Sequence, residues 1–332
     1  MTVLVTGGAG YIGSHAVRKL IHNDHRVVVV DNLFRGHRAA IHPDAAFVEL
    51  DLSATDELSR VMREFEVTAV LHFAALAYVG ESVTSPLQYY RNNTAGTLSL
   101  LEAMHAAAVH RLIFSSTCAT YGVPEQLPLD ESTRQIPINP YGWSKLFVEQ
   151  ILKDKAAADA EFACIGLRYF NVAGCADDGS LGEDHKPETH LIPLLLQTAL
   201  GQRESITVFG NDYPTPDGTC IRDYVHVDDL ADAHLLALQH LQPGRADFLN
   251  VGIGRGHSVR ETIDAVIRVT GRDVPLEYGA RRPGDPPELW ANGDRIRQEF
   301  GWAPKFANLE DNVATAWEWF RRHPHGYGTA AT

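Results

Sequence analysis

The chain of 332 residues contains few cysteines and no long apolar run. Its four cysteines show neither C-x-x-C spacing nor a disulfide framework, so we expect free thiols in a reducing compartment. No uncharged apolar stretch approaches the roughly 18 residues that a membrane helix needs. The sequence opens directly on MTVLVTGG, a strand followed by a glycine turn, which leaves no room for a signal peptide. We therefore expect a soluble cytoplasmic protein without a membrane partner.

Basic residues are scarce relative to acidic ones. The chain has 29 lysines and arginines against 42 aspartates and glutamates, and its formal net charge is -13. Excess negative charge repels phosphate-rich polymers. We therefore expect neither nucleic acid nor an anionic membrane as the main partner, and any small anionic ligand would need its own local arginines.

Short apolar runs recur in the first half of the chain, separated by segments of helical length. The runs are TVLVTG, RVVVVD, FVELD, TAVLHFAA, RLIFSS and CIGLRYFN. Continuous apolar strands that alternate with helices indicate a parallel sheet buried on both faces. The sequence therefore predicts an α/β fold with a doubly wound parallel sheet of the Rossmann type, with ligands at the carboxyl ends of its strands.

After Asn171 the alternation stops. AGCADDGSLGEDHKPETH reads as a long polar loop, LIPLLLQTAL as a helix, and ITVFGNDYPTPDGTCIRDYVHVDD as two strands around a turn-rich insert. Loops this long are often functional. We predict a main domain over residues 1–175, with segments around 220–250 returning to it, and a smaller α/β substrate-binding domain over 176–332.

A glycine-rich turn follows the first strand and precedes a helix. In VTGGAGYIGSH the glycines are spaced G-x-x-G-x-x-G, at Gly7, Gly10 and Gly13. Such glycines let the backbone approach a pyrophosphate at a helix N-terminus. Asp31 ends the next strand, where it can bind both ribose hydroxyls and repel a 2′-phosphate. The pattern predicts a dinucleotide site for NAD rather than NADP, although Arg35 and Arg38 nearby leave a phosphate contact open.

A tyrosine and a lysine stand four residues apart in NPYGWSK. If a helix begins near Pro140, Tyr141 and Lys145 share one helix face. Thr117 ends the fifth apolar run, at the sheet edge where ligands bind. The alternative interpretation is a solvated lysine beside a half-buried tyrosine, because Y-x-x-x-K is a short pattern.

Taken together, these motifs resemble the extended short-chain dehydrogenase/reductase family, and within it the UDP-glucose 4-epimerases. The resemblance runs essentially the whole length, and its most specific part is the long GNDYPTPDGT-IRDY-HV stretch. The matching motifs are VTGGAGYIGSH, DNL, HFAA followed by VGES, YGWSK, LRYFNVAG, FGNDYPTPDGTCIRDYVHVDDLADAH and RRPGD.

The resemblance implies a reaction on UDP-glucose and UDP-galactose with bound NAD. Tyr141 would take the proton of the sugar 4-hydroxyl while C4 gives hydride to NAD, and Thr117 would hydrogen-bond the same oxygen. Lys145 would hold the nicotinamide ribose and, with the nicotinamide cation, lower the tyrosine pKa from about 10. The 4-keto sugar would then turn over and take the hydride back on its other face. The alternative substrates are UDP-N-acetylhexosamines or UDP-pentoses.

Related enzymes differ at defined positions. Sugar-nucleotide dehydratases carry Asp-Glu directly after the threonine, where this chain has Cys118 and Ala119. The reaction is therefore expected to stop at the ketone and reverse. Ala77 replaces a lysine or small polar residue of relatives, and Leu289 stands where relatives vary in size beside the sugar. An NAD-binding sensor and a net dehydrogenase remain rival hypotheses.

Apart from the three glycines and Asp31, the remaining site residues come from the resemblance. Beyond Lys145, the expected NAD contacts are Gly7, Gly10, Tyr11, Ile12, Gly13, Asp31, Asn32, Leu33, Asp51, Leu52, Phe73, Ala74, Ala75, Asn92 and Phe170. Beyond Thr117 and Tyr141, the expected substrate contacts are Asn171, His190, Leu191, Thr207, Phe209, Arg222, Arg282, Asp285 and Leu289. We expect a homodimer through helices around Asn92–Met104 and Tyr141–Leu152, and no metal site, although His323 and His325 form a weak candidate pair.

Overall fold

The computed structural model describes residues 1–282 and 285–328. Pro283 and Gly284 of the RRPGD motif lie outside the described residues, as do the last four residues of the chain. The strands are β1 (Thr2–Thr6), β2 (Arg26–Asp31), β3 (Ala46–Glu49), β4 (Ala69–His72), β5 (Arg111–Thr117), β6 (Ala163–Tyr169), β7 (Asn171–Ala173), β8 (Ile206–Phe209), β9 (Ile221–His226), β10 (Arg245–Val251), β11 (Gly256–Ser258), β12 (Leu276–Gly279) and β13 (Glu288–Leu289).

The helices mostly connect these strands. They are α1 (Tyr11–Ile21), α2 (Thr55–Glu64), α3 (Val79–Thr84), α4 (Pro86–Tyr89), α5 (Gly96–Ala106), α6 (Pro140–Ala158), α7 (Leu191–Ala199), α8 (Val227–Gln239), α9 (Val259–Thr270), α10 (Asp294–Phe300) and α11 (Leu309–Arg322). A π-helical turn at Tyr90–Ala95 joins α4 to α5, and short 3-10 turns lie at Arg38–Ala40 and Cys118–Thr120. No helix within the described residues is long and apolar enough to cross a membrane.

Seven parallel strands form the main sheet, in the order β10-β6-β5-β4-β1-β2-β3. The six apolar runs of the sequence contain β1 to β6, so the predicted doubly wound α/β fold is confirmed. Strand order reverses between β1 and β4, which makes the carboxyl ends of these strands the expected ligand crevice. The late strand β10 pairs with β6 and lies at one edge of the same sheet.

The main sheet is buried because helices cover both faces. One core cluster packs side chains of β1, β2 and β6 against α1 and α8. The other packs α2, α5 and α6 against the opposite face. A third cluster gathers α7, α9 and α11 around Trp319. It lies beside a small sheet in which β9 pairs with β7, β11 and β13, and beside the pair β8 and β12.

Candidate functional site

The glycine turn after β1 requires residues without a side chain. Gly7 has a positive φ of 71°, and a Cβ atom there would lie 2.5 Å from the backbone N of Ala74. A Cβ on Gly13 would lie 2.1 Å from the carbonyl oxygen of Gly7. Helix α1 begins directly after Gly10, so its N-terminus points out of this turn. The turn therefore forms the narrow cradle that a dinucleotide pyrophosphate needs.

Asp31 closes the cradle on the β2 side. Its carboxylate accepts hydrogen bonds from the backbone N–H groups of Ala9 (3.0 Å) and Leu33 (2.8 Å). Burial raises the pKa of Asp31, and the same two hydrogen bonds act in the opposite direction. Beside it, Asn32 donates to Asp51 (2.8 Å) at the exposed edge of the site. Predicted adenosine contacts from the ends of the two neighbouring strands β2 and β3 are thus brought together.

Arg35 and Arg38, the two arginines that could contact a 2′-phosphate, each contact other side chains. Arg35 donates two hydrogen bonds to Glu81 (2.7 and 2.9 Å), and its guanidinium lies over the Tyr78 ring at 3.9 Å. Arg38 lies over the Phe47 ring at 4.6 Å. Because Glu81 already balances the charge of Arg35, this arrangement favours NAD over a 2′-phosphorylated cofactor.

The other predicted cofactor residues surround the same crevice. The N–H groups of Phe73 and Ala74 both donate to the carbonyl oxygen of Thr6, which ties the end of β4 to β1. Tyr11 donates to the carbonyl oxygen of Gly174 (2.6 Å). Ile12 and Leu52 are partly buried, each against one of the two cores beside the main sheet. Asn92 donates a hydrogen bond to Asn93 (3.0 Å) in the π-helical turn. Ala75 directly follows Ala74, and Phe170 directly follows β6.

Helix α6 carries the tyrosine and the lysine, and it begins at Pro140 as predicted. Asn139 caps the helix, since its side chain accepts from the N–H of Gly142 (2.9 Å). A Cβ on Gly142 would lie 2.5 Å from the carbonyl oxygen of Ala119, so this glycine lets the helix approach the turn after β5. The close approach brings Tyr141 to Thr117 at the end of that strand.

Lys145 lies one helical turn after the tyrosine and is buried against β5. It is 3% exposed, and its Nζ donates to the carbonyl oxygen of Ser115 (2.8 Å) and lies over the Phe114 ring at 4.9 Å. Burial lowers the pKa of Lys145 to about 7. The lysine is therefore fixed to β5, and its charge is sensitive to whatever is bound beside it.

The pKa of Tyr141 differs from that of a phenol in water. Burial raises its pKa to about 12, the nearby Thr117 hydroxyl opposes the rise, and Cys118 adds to it. The influences on Tyr141 in the chain by itself are burial, Thr117 and Cys118. That Lys145 and a bound nicotinamide cation together lower the tyrosine pKa stays a prediction. Burial has the largest effect on the pKa values of both Tyr141 and Lys145, because it removes their charged forms from water. Thr117 is the group in the chain that favours the phenolate.

The predicted substrate residues form a second group around β9. Arg222 forms an ion pair with Asp285, and it also donates to the carbonyl oxygen of Ile221 (2.7 Å). Burial acts to lower the pKa of Arg222, but Asp285, Cys220 and Tyr224 together outweigh it and raise this pKa. Leu289 on β13 lies in register with Arg222 and packs in one apolar cluster with Phe170. This cluster joins the substrate group to the predicted nicotinamide side.

Other predicted substrate residues lie around this group. Phe209 ends β8, and the Arg282 guanidinium lies over its ring at 4.0 Å. Both are exposed and form a contact pair at the outer edge. Thr207 lies on β8 together with Phe209. Asn171 begins β7, which pairs with β9. His190 directly precedes α7, which begins at Leu191.

A buried polar network beneath the catalytic group was missed from the sequence. Glu149, two turns after Tyr141 on α6, accepts from Ser116 (2.6 Å) and from two nitrogens of Arg168 (2.9 and 2.6 Å). The pair is almost fully buried, with side-chain exposures of 0% and 4%. In the sequence, the signal for Glu149 was its position eight residues after Tyr141 on the same helix. Its partner Arg168 lies on β6, and this pairing could not be predicted because the two residues are on different elements.

A second missed group lies in the long polar loop before α7. Glu183, His185, Glu188 and His190 place one ligand-type atom each within 4.8 Å of one another. Burial would lower the pKa values of His185 and His190, but the two glutamates outweigh it and raise them to about 9 and about 10. The candidate pair from the sequence is different: His323 contacts the Trp319 carbonyl oxygen at 3.1 Å and His325 is exposed.

The comparisons with known proteins agree with this geometry. Residues 3–252 match the NAD dependent epimerase/dehydratase family, and the chain belongs to that family. A UDP-glucose 4-epimerase of Streptococcus mutans is 52% identical, over 98% of this chain and 99% of its own length.

Two further proteins extend the comparison. The crystal structure of UDP-glucose 4-epimerase from Bifidobacterium longum in complex with NAD+ and UDP superimposes with a TM-score of 0.95 at 38% identity, covering 98% of this chain and all of that one. A rice protein named as a probable UDP-arabinose 4-epimerase is 45% identical, over 98% of this chain and 84% of its own length.

Proposed function

We propose that the protein is a UDP-glucose 4-epimerase that interconverts UDP-glucose and UDP-galactose through a transient 4-keto sugar. The observation that carries this proposal is the meeting of Thr117 and Tyr141 one helical turn from the buried Lys145, at the sheet edge that also holds the glycine cradle. A protein that only binds a dinucleotide gains nothing from an acid–base group placed there. The similarity to named UDP-glucose 4-epimerases supports the substrate assignment.

The residues present fit NAD. The cradle of Gly7 and Gly13 leaves no space for side chains, and Asp31 ends β2 beside it. Bound there, NAD supplies a hydride acceptor for the sugar C4 and returns the hydride in the same turnover. The chain itself orients both ligands. The N–H of Gly7 ties the cradle to the Val30 carbonyl oxygen on β2, and the Lys145 side chain ties α6 to the Ser115 carbonyl oxygen on β5.

Tyr141 holds the proton that the reaction moves. Its phenolic oxygen takes the proton of the 4-hydroxyl as the ketone forms and returns it in the reverse step. The Thr117 hydroxyl lies close enough to the phenol to favour its ionised form. Burial resists that ionisation, so the positive charge of Lys145 and of the oxidised nicotinamide is needed nearby. The phenol is therefore expected to become basic only when the site is assembled.

The residues after Thr117 explain why water is not eliminated. Cys118 occupies the position of the dehydratase acid, and burial raises its thiol pKa to about 12. A neutral thiol and the methyl of Ala119 provide no acid–base pair at C5 and C6 of the sugar. The ketone can only be reduced again, which gives the epimer.

The diphosphate requires local positive charge in a chain that is acidic overall. We assign this role to Arg222 and Arg282, because a guanidinium can donate two hydrogen bonds to phosphate oxygens. Asp285 keeps Arg222 charged and oriented before substrate binds. Leu289 and Phe170 form the apolar wall next to this pair.

A UDP-pentose is the second candidate substrate. The rice relative favours it, since that protein is named for UDP-arabinose. A pentopyranose lacks the C6 hydroxymethyl group, so it would fit the same catalytic group. Turnover of UDP-galactose, UDP-xylose and UDP-N-acetylgalactosamine under identical conditions tests the assignment, and a preference of more than about tenfold for another sugar would overturn it.

Replacing the proposed acid–base residue tests the mechanism directly. Tyr141→Phe removes one oxygen, and we expect turnover of UDP-galactose to fall by about 10²–10⁴-fold while NAD stays bound. Tyr278→Phe is the matched control, because Tyr278 is 49% exposed and lies on β12 away from this group. Unchanged turnover in Tyr141→Phe would refute the proposed role.

We further propose a homodimer that pairs the faces of α5 and α6. Leu87, Leu98 and Phe147 are exposed on neighbouring helices, and the Phe147 ring lies 5.6 Å from Trp143 and 5.9 Å from Tyr90. An apolar surface of this kind is typical of an interface. Light scattering should show a dimer for the parent chain and a monomer for Phe147→Glu, whereas Val123→Glu, at another exposed site, should remain dimeric.

A cytoplasmic location is also proposed. All four cysteines are free thiols, and three of them are buried. Unpaired thiols suit a reducing compartment. Fractionation of producing cells tests this location, and recovery of the native protein outside the cytoplasm would contradict it.

A further inference from the structure

The four residues of the missed group lie close together in sequence and in space. They follow the pattern E-x-H-x-x-E-x-H, from Glu183 to His190, in the loop that ends at the start of α7. Glu183, His185 and Glu188 line a cavity of about 550 Å³ together with Trp319 and His323. Within the described residues it is the one group whose His and Glu atoms converge closely enough for a shared ion.

The distances between the converging atoms match those around a small metal ion. His185 Nδ1 lies 3.2 Å from Glu183 Oε1 and 3.5 Å from Glu188 Oε2. His190 Nδ1 lies 2.6 Å from Glu183 Oε1 and 3.3 Å from Glu188 Oε1. Ligands at about 2.0–2.2 Å from a tetrahedral zinc are separated by about 3.3–3.5 Å. Three of these four distances are near that range, although the two to Glu188 end on different oxygens. The hydrogen-bonded pair of His190 and Glu183 must open for both to reach an ion.

We propose that Glu183, His185, Glu188 and His190 bind one divalent transition metal ion, with Zn²⁺ as the best-matched ion. Two imidazole nitrogens select a borderline ion of this kind, whereas Mg²⁺ and Ca²⁺ prefer sites made of oxygen. Two carboxylates neutralise the charge of the ion. The site lies outside the proposed catalytic group and takes no part in the proton and hydride steps.

One independent observation supports a ligand at this point. His185 Nδ1 is buried and lies near both carboxylates, yet it forms no hydrogen bond with either of them. Such a nitrogen is costly unless a partner is bound. The Tyr78 hydroxyl is buried without a hydrogen-bond partner too, and its ring lies 6.0 Å from the His185 ring.

The loop holds the donors in place before any ion binds. Glu188 Oε1 accepts from the backbone N–H groups of Thr189 (2.6 Å) and His190 (2.8 Å). Metal binding would engage His190 and fix the loop immediately before Leu191, and both residues are predicted to contact substrate. The proposed ion is therefore a structural brace for the entrance of the substrate group.

Direct metal titration tests the site without reference to catalysis. The full chain, purified and treated with a chelator, is titrated with Zn²⁺ by calorimetry and then analysed for zinc content after dialysis. We expect one zinc per chain and a rise in the thermal unfolding midpoint. Co²⁺ in place of Zn²⁺ should give the visible absorption of a tetrahedral nitrogen–oxygen site.

Two conservative variants locate the ion. His185→Gln and Glu183→Gln should each weaken zinc binding by at least about tenfold and abolish the cobalt spectrum. His325→Gln is the control, because His325 is exposed at the edge of the same cavity. Absence of stoichiometric binding in the parent chain would overturn the proposal and leave the group as ion pairs. An equal loss of zinc binding in His325→Gln would also overturn the proposal, because the ion would then be bound by exposed residues.

Discussion

The two sides of the candidate site each contain a buried cation, and the two cations differ in whether a carboxylate pairs with them. Among the described residues, no carboxylate pairs with Lys145 on the catalytic side, and its Nζ donates only to the Ser115 backbone. Arg222 on the substrate side is paired with Asp285. Burial consequently lowers the pKa of Lys145 to about 7, while the carboxylate raises the pKa of Arg222.

This difference separates two tasks. An unpaired lysine with a pKa near neutral responds strongly to charges that arrive with the cofactor and the substrate. A paired arginine is charged at every physiological pH and is oriented in advance. The catalytic side is therefore electrostatically adjustable, and the substrate side is preset. The predictions below break or sharpen this contrast, in order of decreasing effect near neutral pH.

The buried pair beneath the catalytic helix should give the largest effect. Glu149→Gln removes the counter-charge of Arg168 without changing the size of the side chain. Because both groups are almost fully buried, we expect a loss of about 3–5 kcal/mol in the free energy of unfolding. Glu310→Gln is the control, since its pair with Arg268 is 49% and 59% exposed and should matter by less than about 1 kcal/mol. Urea unfolding measures both variants. Equal losses of unfolding free energy in Glu149→Gln and Glu310→Gln would show that burial does not determine what an ion pair contributes.

The glycine cradle should give the next effect. The added Cβ in Gly13→Ala would overlap the Gly7 carbonyl oxygen, so we expect a loss of about 1–3 kcal/mol and little bound NAD. Gly80→Ala has no atom within 4 Å of its new Cβ and should leave both stability and NAD content unchanged. Cofactor released by acid and measured by chromatography reports the outcome. Normal NAD content in Gly13→Ala would contradict the cradle.

Much of the catalytic side could be predicted from the sequence because its determinants are local. The apolar runs specify β1 to β6, and the glycine spacing predicts the cradle between β1 and α1. Pro140 predicts the start of α6, and the structure begins this helix at that residue. In each case one short segment contains both the residues and the physical reason for their conformation.

The substrate side depends on contacts between distant segments. Arg222 and Asp285 are brought together only when β9 pairs with β13. The pattern E-x-H-x-x-E-x-H was visible in the sequence, but its loop had no periodicity from which the direction of its side chains could be predicted. Desolvation was also underestimated: sequence spacing placed Lys145 beside Tyr141, and in the chain by itself burial raises the tyrosine pKa.

The preset arginine should affect substrate affinity more than turnover. Arg222→Lys keeps the charge but loses the planar pair of donors, so we expect KM for UDP-galactose to rise by about tenfold. NAD content should not change. Arg268→Lys, an exposed surface replacement, is the matched control. A fall in kcat with unchanged KM would mean that Arg222 acts on the catalytic side, and the contrast between the two sides would fail.

The effect of the adjustable lysine is a change of stability with pH rather than a difference at one pH, and it is the most diagnostic. Between its folded pKa of about 7 and the ordinary value of about 10.4, the unfolded chain binds a proton at Lys145 that the folded chain does not. The contribution of this lysine to the free energy of unfolding should therefore increase as pH rises through that window. In protein freed of NAD, the difference between the parent and Lys145→Met should grow in favour of the parent from about pH 7 to about pH 10. Lys153→Met, exposed on the same helix, should show no such slope, and a difference independent of pH would mean that Lys145 keeps its full charge when buried.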